Sequence, residues 1–442
     1  MKLAVVSLGC PKNLTDTEIM LGKLLGEDGH ELVQKENQAE VLLLNTCSFL
    51  EASRKESKDH IRKLAKQKKR GKCKYLLVAG CLPGREGEKL LDEFPEVDGI
   101  VSSQEIERIS EALRIVQQGR DTRPAFVKAH ARNFDEKAPR MKLTAPHTAY
   151  VKISEGCDHI CSFCIIPKIR GRHQSRAIES IVAEVQNLAL NMGTREVNLV
   201  AQDSTMYGQD LYGKPALDRL LIALAKIDSL RWIRIMYAYP HQVTDSLLAT
   251  IASERKVCKY LDLPLQHASG TILVRMRRGG DRRYLERLVG RIRESIPGVS
   301  IRSTFMVGFP GEKEEHFQEL LGFLREARLE RVGFFAYSRE EGSEGEGLPD
   351  QISEKEKQVR LQMAYQTQSE ILEEIGQRMI GKEFEVLIDQ ATPHGAVGRS
   401  YMDAPEIDGS VWFKGNGVSP GDFVLGRIVG ASGADLQAVL VT

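Results

Sequence analysis

The chain has 442 residues, 42% of them hydrophobic and 28% charged, with 62 Lys and Arg against 61 Asp and Glu and a formal net charge of +1. That length predicts two to four domains, and that balance argues against both a globally basic nucleic-acid binder and an acidic disordered chain. No apolar run approaches the ~20 residues that cross a bilayer, and the opening MKLAVVSLGC is too short for a signal peptide, so a cytoplasmic protein without membrane contact is expected.

Short apolar runs alternate with helical stretches from the start. LAVVSL at 3–8, EVLLLN at 40–45, YLLVAG at 75–80 and DGIVS at 98–102 read as buried parallel strands; residues 15–27, 51–69, 86–94 and 104–118 read as helices. This alternation predicts a doubly wound parallel sheet over 1–118. Residues 119–146 are polar, contain three prolines and fit a linker.

A second alternation fills 147–375. Six apolar segments, at 150–154, 197–202, 232–237, 260–266, 301–309 and 332–338, are separated by enough chain for helices such as 180–191, 218–225 and 314–327. Six βα units without hairpin signals predict a partial (βα)6 barrel. GSEGEG at 342–347 reads as a loop, and a long helix is expected over 353–376, opened by Ser353 and Glu356. Residues 376–442 change character: glycine and period-two segments such as FEVLI, SVWFKG and FVLGRIV predict a small antiparallel β-barrel.

Eight cysteines in a chain with no secretory leader point to metal or catalysis before disulfides. Cys157, Cys161 and Cys164, in EGCDHICSFCIIPKIRG, follow the first strand of the expected barrel, at the strand end where such barrels carry their active sites. Structural zinc wants four ligands, and only His159 or His173 stands near enough in sequence to complete a set. A four-iron cluster held by three cysteines leaves one iron open. The C-x3-C-x2-C spacing resembles that of the radical S-adenosylmethionine enzymes. In those enzymes the open iron takes the amino and carboxylate groups of S-adenosylmethionine, and one cluster electron cleaves it to a 5′-deoxyadenosyl radical.

Cys10, Cys47 and Cys81 each lie just past the carboxyl end of a different strand of the first sheet. Those ends gather on one edge of an open α/β sheet, so the three thiols are expected to form a second site with an open iron. A core cysteine would sit inside an apolar run, whereas these sit beyond one. Cys73 and Cys258 belong to neither set.

With both sets in view, SLGCPKN, NTCSF, AGC, YVKISEGCDHICSFCIIPKIRGR and a TRAM-like terminal barrel together resemble the methylthiotransferases of the radical S-adenosylmethionine class over essentially the full length. AGCLPGREG departs from the pattern in lacking a Gln-Arg pair after the cysteine. SLGCPKN and GRSYMDAPEIDG at 398–409 are similar to the branch that modifies an aspartate of ribosomal protein S12 rather than the branch that modifies adenosine in transfer RNA. The resemblance implies two 4Fe-4S clusters, S-adenosylmethionine as radical source and methyl donor, S12 within the small ribosomal subunit as partner, reduced flavodoxin or ferredoxin as electron donor, and a monomer. A transfer-RNA methylthiotransferase, or a non-catalytic iron–sulfur or zinc RNA-binding protein, are the alternatives.

The terminal region holds five basic and eight acidic residues over 376–442, which suits a basic partner better than RNA phosphate. For the cofactor, Phe163 lines an adenine pocket or packs on its loop. Gln202 and Gln266 sit at strand ends within reach of cofactor or substrate. Gly308 and Gly311 in VGFPGE either let backbone approach the cofactor or make a plain turn. The basic run at 54–74 reads as a solvated helix face, while RMRRGGDRR at 275–283 falls near the barrel mouth.

Overall fold

The computed structural model describes residues 1–119, 122–127, 138–415 and 417–441. Leucine- and valine-rich runs buried on both sides form parallel strands; all six residues of Val41–Thr46 are buried. The first sheet places Glu31–Leu32, Lys2–Ser7, Val41–Thr46, Tyr75–Gly80, Gly99–Ser102 and Ala125–Phe126 side by side, all parallel. Helices Pro11–Gly22 and Ile109–Gln117 cover one face through Met20, Leu21 and Leu113. Helices Glu51–Arg70 and Lys89–Glu93 cover the other through Ile61, Leu64 and Leu90.

The sheet therefore gains two edge strands beyond the four expected. Each has only two residues, too few to show periodicity. The helix expected over 86–94 is two short ones, Cys81–Glu86 and Lys89–Glu93, parted at Gly87 with φ 63°. The helix expected over 15–27 starts earlier, at Pro11, and ends in a wider turn over Lys23–Glu27. Residues 120–121 and 128–137 of the expected linker lie outside the described residues. The rest of that segment is not slack. It supplies the edge strand Ala125–Phe126 and the buried Arg140, which bonds Glu18 and, at 2.5 Å, Glu184.

Six parallel strands make the central sheet, and their spatial order is their chain order: Thr148–Lys152, Glu196–Val200, Trp232–Ile235, Val257–Asp262, Ser300–Val307 and Arg331–Ala336. The first and last do not pair with each other, so the barrel is partial. Helices cover one face over a large apolar core that includes Val197, Leu199, Ile233, Phe305 and Phe317. Helix Glu354–Gln377 begins as its sequence predicts, with Ser353 Oγ accepting the Glu356 N–H at 3.2 Å. The Glu356 carboxylate turns instead to Arg360, at 3.0 Å.

Five strands, Glu383–Thr392, Gly395–Ser400, Val411–Lys414, Phe423–Ser432 and Asp435–Leu440, close the terminal barrel. Four of its seams are antiparallel; Val411–Lys414 and Asp435–Leu440 pair in parallel, a departure from the all-antiparallel expectation. The loop at 398–409 enters the uncovered face of the central sheet at the amino ends of its strands. Arg399 bonds Glu196 at 2.8 Å, Asp403 bonds Arg331 at 2.5 Å, and Asp408 accepts from Tyr260 at 2.7 Å beside Arg302. Leu387 and Ala404 pack there on Tyr150, Trp232 and Tyr260.

This docking overturns the charge argument made from sequence. Asp389, Asp403 and Asp408 pair inward with Arg399, Arg331 and Arg302, while Glu383 and Glu385 pair with Arg427 and Arg231. Most of the acidic excess joins parts of this chain to one another rather than facing a partner.

A two-sided cysteine site at the mouth of the central sheet

The mouth lies at the carboxyl ends of the central strands, opposite the loop at 398–409. Cys157, Cys161 and Cys164 stand on the connection after Ser154–Glu155, turned by the Cys164 N–H to Cys161 carbonyl bond of 3.0 Å. Cys164 feels the charge of Cys161 and Cys157, and Cys157 that of Cys161, so the three converge. Burial pushes Cys157 up to about 11 and Cys164 up to about 12. Arg278, from the basic run at 275–283, brings Nη1 to 3.6 Å from the Cys161 sulfur and stacks its guanidinium 4.2 Å from the Tyr239 ring.

Cys10 precedes helix Pro11–Gly22, Cys47 follows Val41–Thr46, and Cys81 begins its own helix directly after Tyr75–Gly80. Asn13 gathers the three. Its N–H bonds the Cys10 carbonyl at 2.9 Å, its amide nitrogen donates to the Thr46 carbonyl at 2.8 Å, and its amide oxygen lies 3.5 Å from the Cys81 sulfur. Gly9, at φ 90°, leaves no room for a side chain, since a Cβ there would meet the Cys47 Cβ at 2.7 Å. Gly80, at φ 99°, is equally confined by Asn45 Oδ1 at 2.2 Å.

Burial raises the Cys10 thiol, but Lys12, Arg170 and the N–H groups of Asn13 and Lys12 outweigh it and bring it below its ordinary value. Cys81, more deeply enclosed and next to the other thiols, is pushed up to about 12.

The first sheet docks on the mouth through Lys12, Asp16 and Arg170. Lys12 donates to the Ala201 carbonyl at 3.3 Å and lies 3.4 Å over the Tyr237 ring. Arg170, six residues past Cys164, reaches back to Asn13 and to the Cys81 sulfur at 3.2 Å. Its other nitrogen pairs with Glu155 at 2.9 Å and Asp16 at 3.3 Å, and Lys152 bonds both of those carboxylates. Both trios therefore open on one junction. Sequence reasoning missed Asn13, Arg170, Asp16 and Lys152. Asn13 and Arg170 lay inside the quoted SLGCPKN and PKIRG motifs, but their partners are up to 157 residues away.

The other expected contacts divide. Gln202 donates to Glu155 at 2.6 Å, and its carbonyl oxygen is buried without a partner. Gln266, at φ 72°, likewise holds a buried, unpartnered oxygen. Phe163 packs against the cluster of Met276, Met306, Phe309 and Tyr337. Gly308 and Gly311 take left-handed turns at φ 72° and 84°, and the space beside them belongs to Lys357 and Arg275 of this chain. The close approach at these two glycines is thus intramolecular. Cys73 donates to the Tyr75 carbonyl at 3.3 Å and Cys258 is buried beside Arg234, both away from the mouth. In the run at 54–74, Lys58, Arg62, Lys63, Lys68, Lys69 and Lys74 are all paired with carboxylates, in keeping with a solvated face.

Residues 2–102 match the uncharacterized protein family UPF0004, 151–324 the Radical SAM superfamily, and 380–441 the TRAM domain. The ribosomal protein uS12 methylthiotransferase RimO of Pelotomaculum thermopropionicum is 45% identical over 445 residues, covering 100% of this chain and 99% of that one. The RimO of Geobacter sulfurreducens is 43% identical over 444 residues, again 100% and 99%. The chain belongs to the RimO family of methylthiotransferases.

The RimO family carries S-adenosylmethionine and 4Fe-4S clusters, and the donor sets here fit them. Among the described residues no three His, Cys, Asp or Glu side chains gather tightly enough to share one metal ion. A single zinc holds each thiolate at about 2.3 Å, whereas a four-iron cube takes each thiol on a separate iron and suits a wider trio. His159 Nε2 is bound to Asp203 at 2.6 Å with its ring stacked on Tyr239, and His173 Nε2 bonds Ser175 at 3.1 Å. Arg170 and Lys12 offset the negative charge that thiolate ligation brings. The fold is also shared with a solved structure. A radical S-adenosylmethionine methyltransferase, TsrM from Kitasatospora setae, with cobalamin and a [4Fe-4S] cluster bound, superposes with TM-score 0.57 at 14% identity, covering 76% of this chain and 71% of that one. No helix of the described residues is long and apolar enough to cross a membrane.

Proposed function

We propose that this enzyme transfers a methylthio group to the β-carbon of an aspartate in ribosomal protein uS12, with Cys157, Cys161 and Cys164 holding the radical-generating cluster and Cys10, Cys47 and Cys81 the sulfur-presenting one. The observation that supports this reading is the junction itself, where Arg170, six residues past Cys164, reaches the Cys81 sulfur and Asn13 of the first sheet. The same proposal divides the chain into 1–118, a linker over 119–146, 147–375 and 376–442. A four-iron cluster held by Cys157, Cys161 and Cys164 would supply the electron that cleaves S-adenosylmethionine, and one held by Cys10, Cys47 and Cys81 would carry the transferable sulfur.

The protein's part is positioning and exclusion. Loading the clusters takes protons from Cys81, Cys157 and Cys164, whose burial otherwise keeps them protonated. The unpartnered oxygens of Gln202 and Gln266 accept from the amino group of S-adenosylmethionine or from substrate. Glu155 keeps the Gln202 side chain turned so that its oxygen stays free. Helix Pro11–Gly22 and Arg170 hold the first sheet over the mouth and keep water from the reacting carbon.

Mass spectrometry of uS12 from cells lacking this protein tests the reading. The methylthio group is absent from the aspartate, returns with the wild-type gene, and does not return with Cys161→Ala. A change in modified nucleosides with uS12 unaltered would assign the chain to transfer RNA instead. Purified Cys161→Ala makes no 5′-deoxyadenosine, whereas Cys47→Ala still makes it but transfers no methylthio group. Loss of both activities in a folded Cys47→Ala protein contradicts the division of labour.

A further inference from the structure

A groove of about 610 Å³ opens behind the cysteine junction, on the outer side of the Ile166–Arg170 helix. Its walls are the start of helix Glu51–Arg70 and the Cys81–Glu86 and Lys89–Glu93 helices, facing Lys168 and Gly342 of the central region. Seven cationic side chains line it against four glutamates, and Lys55, Lys89 and Lys168 stand exposed. Ile165 and Ile169 form its inner side, and both pack on Cys81. Ile165 also directly follows Cys164, so one layer of side chains separates the groove from a thiol of each trio.

We infer that this groove is the docking surface of an acidic one-electron carrier protein. The inference rests on the reading of the Cys157 trio as a radical cluster, which must take up one electron for every S-adenosylmethionine it cleaves. In that step the carrier is oxidised by one electron and the iron–sulfur cluster reduced by one; no bond forms or breaks and no proton moves. The mouth is closed to such a carrier, because the first sheet and the substrate occupy it. The groove offers the alternative side, with a cationic surplus that steers an acidic protein to the place nearest both trios. RNA fits it less well. Four glutamates interrupt the cations, and no aromatic side chain lines the groove to stack a base.

The test uses the full chain, with and without Lys55→Glu together with Lys89→Glu, residues remote from the cysteines. Binding of a bacterial flavodoxin is titrated by anisotropy at about 50 mM salt, where screening is weak. 5′-Deoxyadenosine formation is then driven either by reduced flavodoxin or by dithionite. The double variant is expected to bind flavodoxin about tenfold more weakly and, at subsaturating carrier, to turn over about tenfold more slowly, with the dithionite rate unchanged. Unaltered flavodoxin binding overturns the inference, as does an equal loss with dithionite. Loss of binding to a 16S ribosomal RNA fragment with flavodoxin binding intact overturns it too and gives the groove to RNA. A wild-type chain inactive with dithionite would sink the radical reading instead, and the binding titration still decides the surface.

Discussion

Glu196→Gln puts the docking of the terminal barrel to a quantitative test. The carboxylate is fully buried at the amino end of its strand, bonded by Arg399 at 2.8 and 3.0 Å, by Arg234 at 3.3 Å and by Thr148 at 2.9 Å. Burial alone would raise its pKa, but Arg399 and Arg234 hold it down to about 2, against 4.5 for a free glutamate. At about 1.4 kcal/mol per pKa unit, the ionised group contributes roughly 3 kcal/mol of stability. That agrees with the roughly 3–5 kcal/mol lost when one partner of a buried ion pair is removed. Because the folded pKa lies below the unfolded one, the contribution is complete above the free-glutamate value and falls away as the pH drops through about 2. Urea unfolding of the apo chain at pH 7, followed by tryptophan fluorescence, should show the variant weakened by about 3 kcal/mol; Trp232 lies in this contact. A deficit under about 1 kcal/mol would refute the idea that this carboxylate anchors the barrel.

Three further outcomes follow from the site. Arg170→Met removes one of the two buried cations that Asp16 and Glu155 share and should cost about 3–5 kcal/mol in the same unfolding assay; a loss no larger than that of an exposed arginine counts against the bridge. Arg278→Met removes a cationic donor from the Cys161 sulfur, so the midpoint potential of the Cys157 trio's cluster should fall in an EPR-monitored titration; an unshifted midpoint means the contact does not tune it. Gly308→Ala meets both a left-handed backbone and Lys357 Cγ at 2.3 Å and should destabilise by about 1–3 kcal/mol, whereas a neutral result would show that this turn relaxes freely.

The strands, and the shared sheet edge of Cys10, Cys47 and Cys81, were legible in the sequence for one reason, while Cys157, Cys161 and Cys164 were legible by their spacing. A parallel strand buried on both faces is a continuous apolar run, and its carboxyl end is visible as the point where the run stops. Cys10, Cys47 and Cys81 could be placed together on that ground alone. What stayed hidden lacks a local signature. Glu31–Leu32 and Ala125–Phe126 are too short to show a period, and Arg140 looks like any basic residue of a polar segment. The Arg399–Glu196 bond spans 203 residues, so the charge count over 376–442 registered Asp403 and Asp408 as surface when both are turned inward.

The loop at 398–409 also orders the events of synthesis. Chains fold from the amino end as they emerge, and the central strands leave the ribosome before their base exists. Until residues 383–442 arrive, Glu196 lacks Arg399, Arg302 lacks Asp408 and Arg331 lacks Asp403. The half-barrel is thus finished from below by a stretch translated after it, and a chain truncated ahead of that stretch keeps its cysteines yet has an unsealed underside.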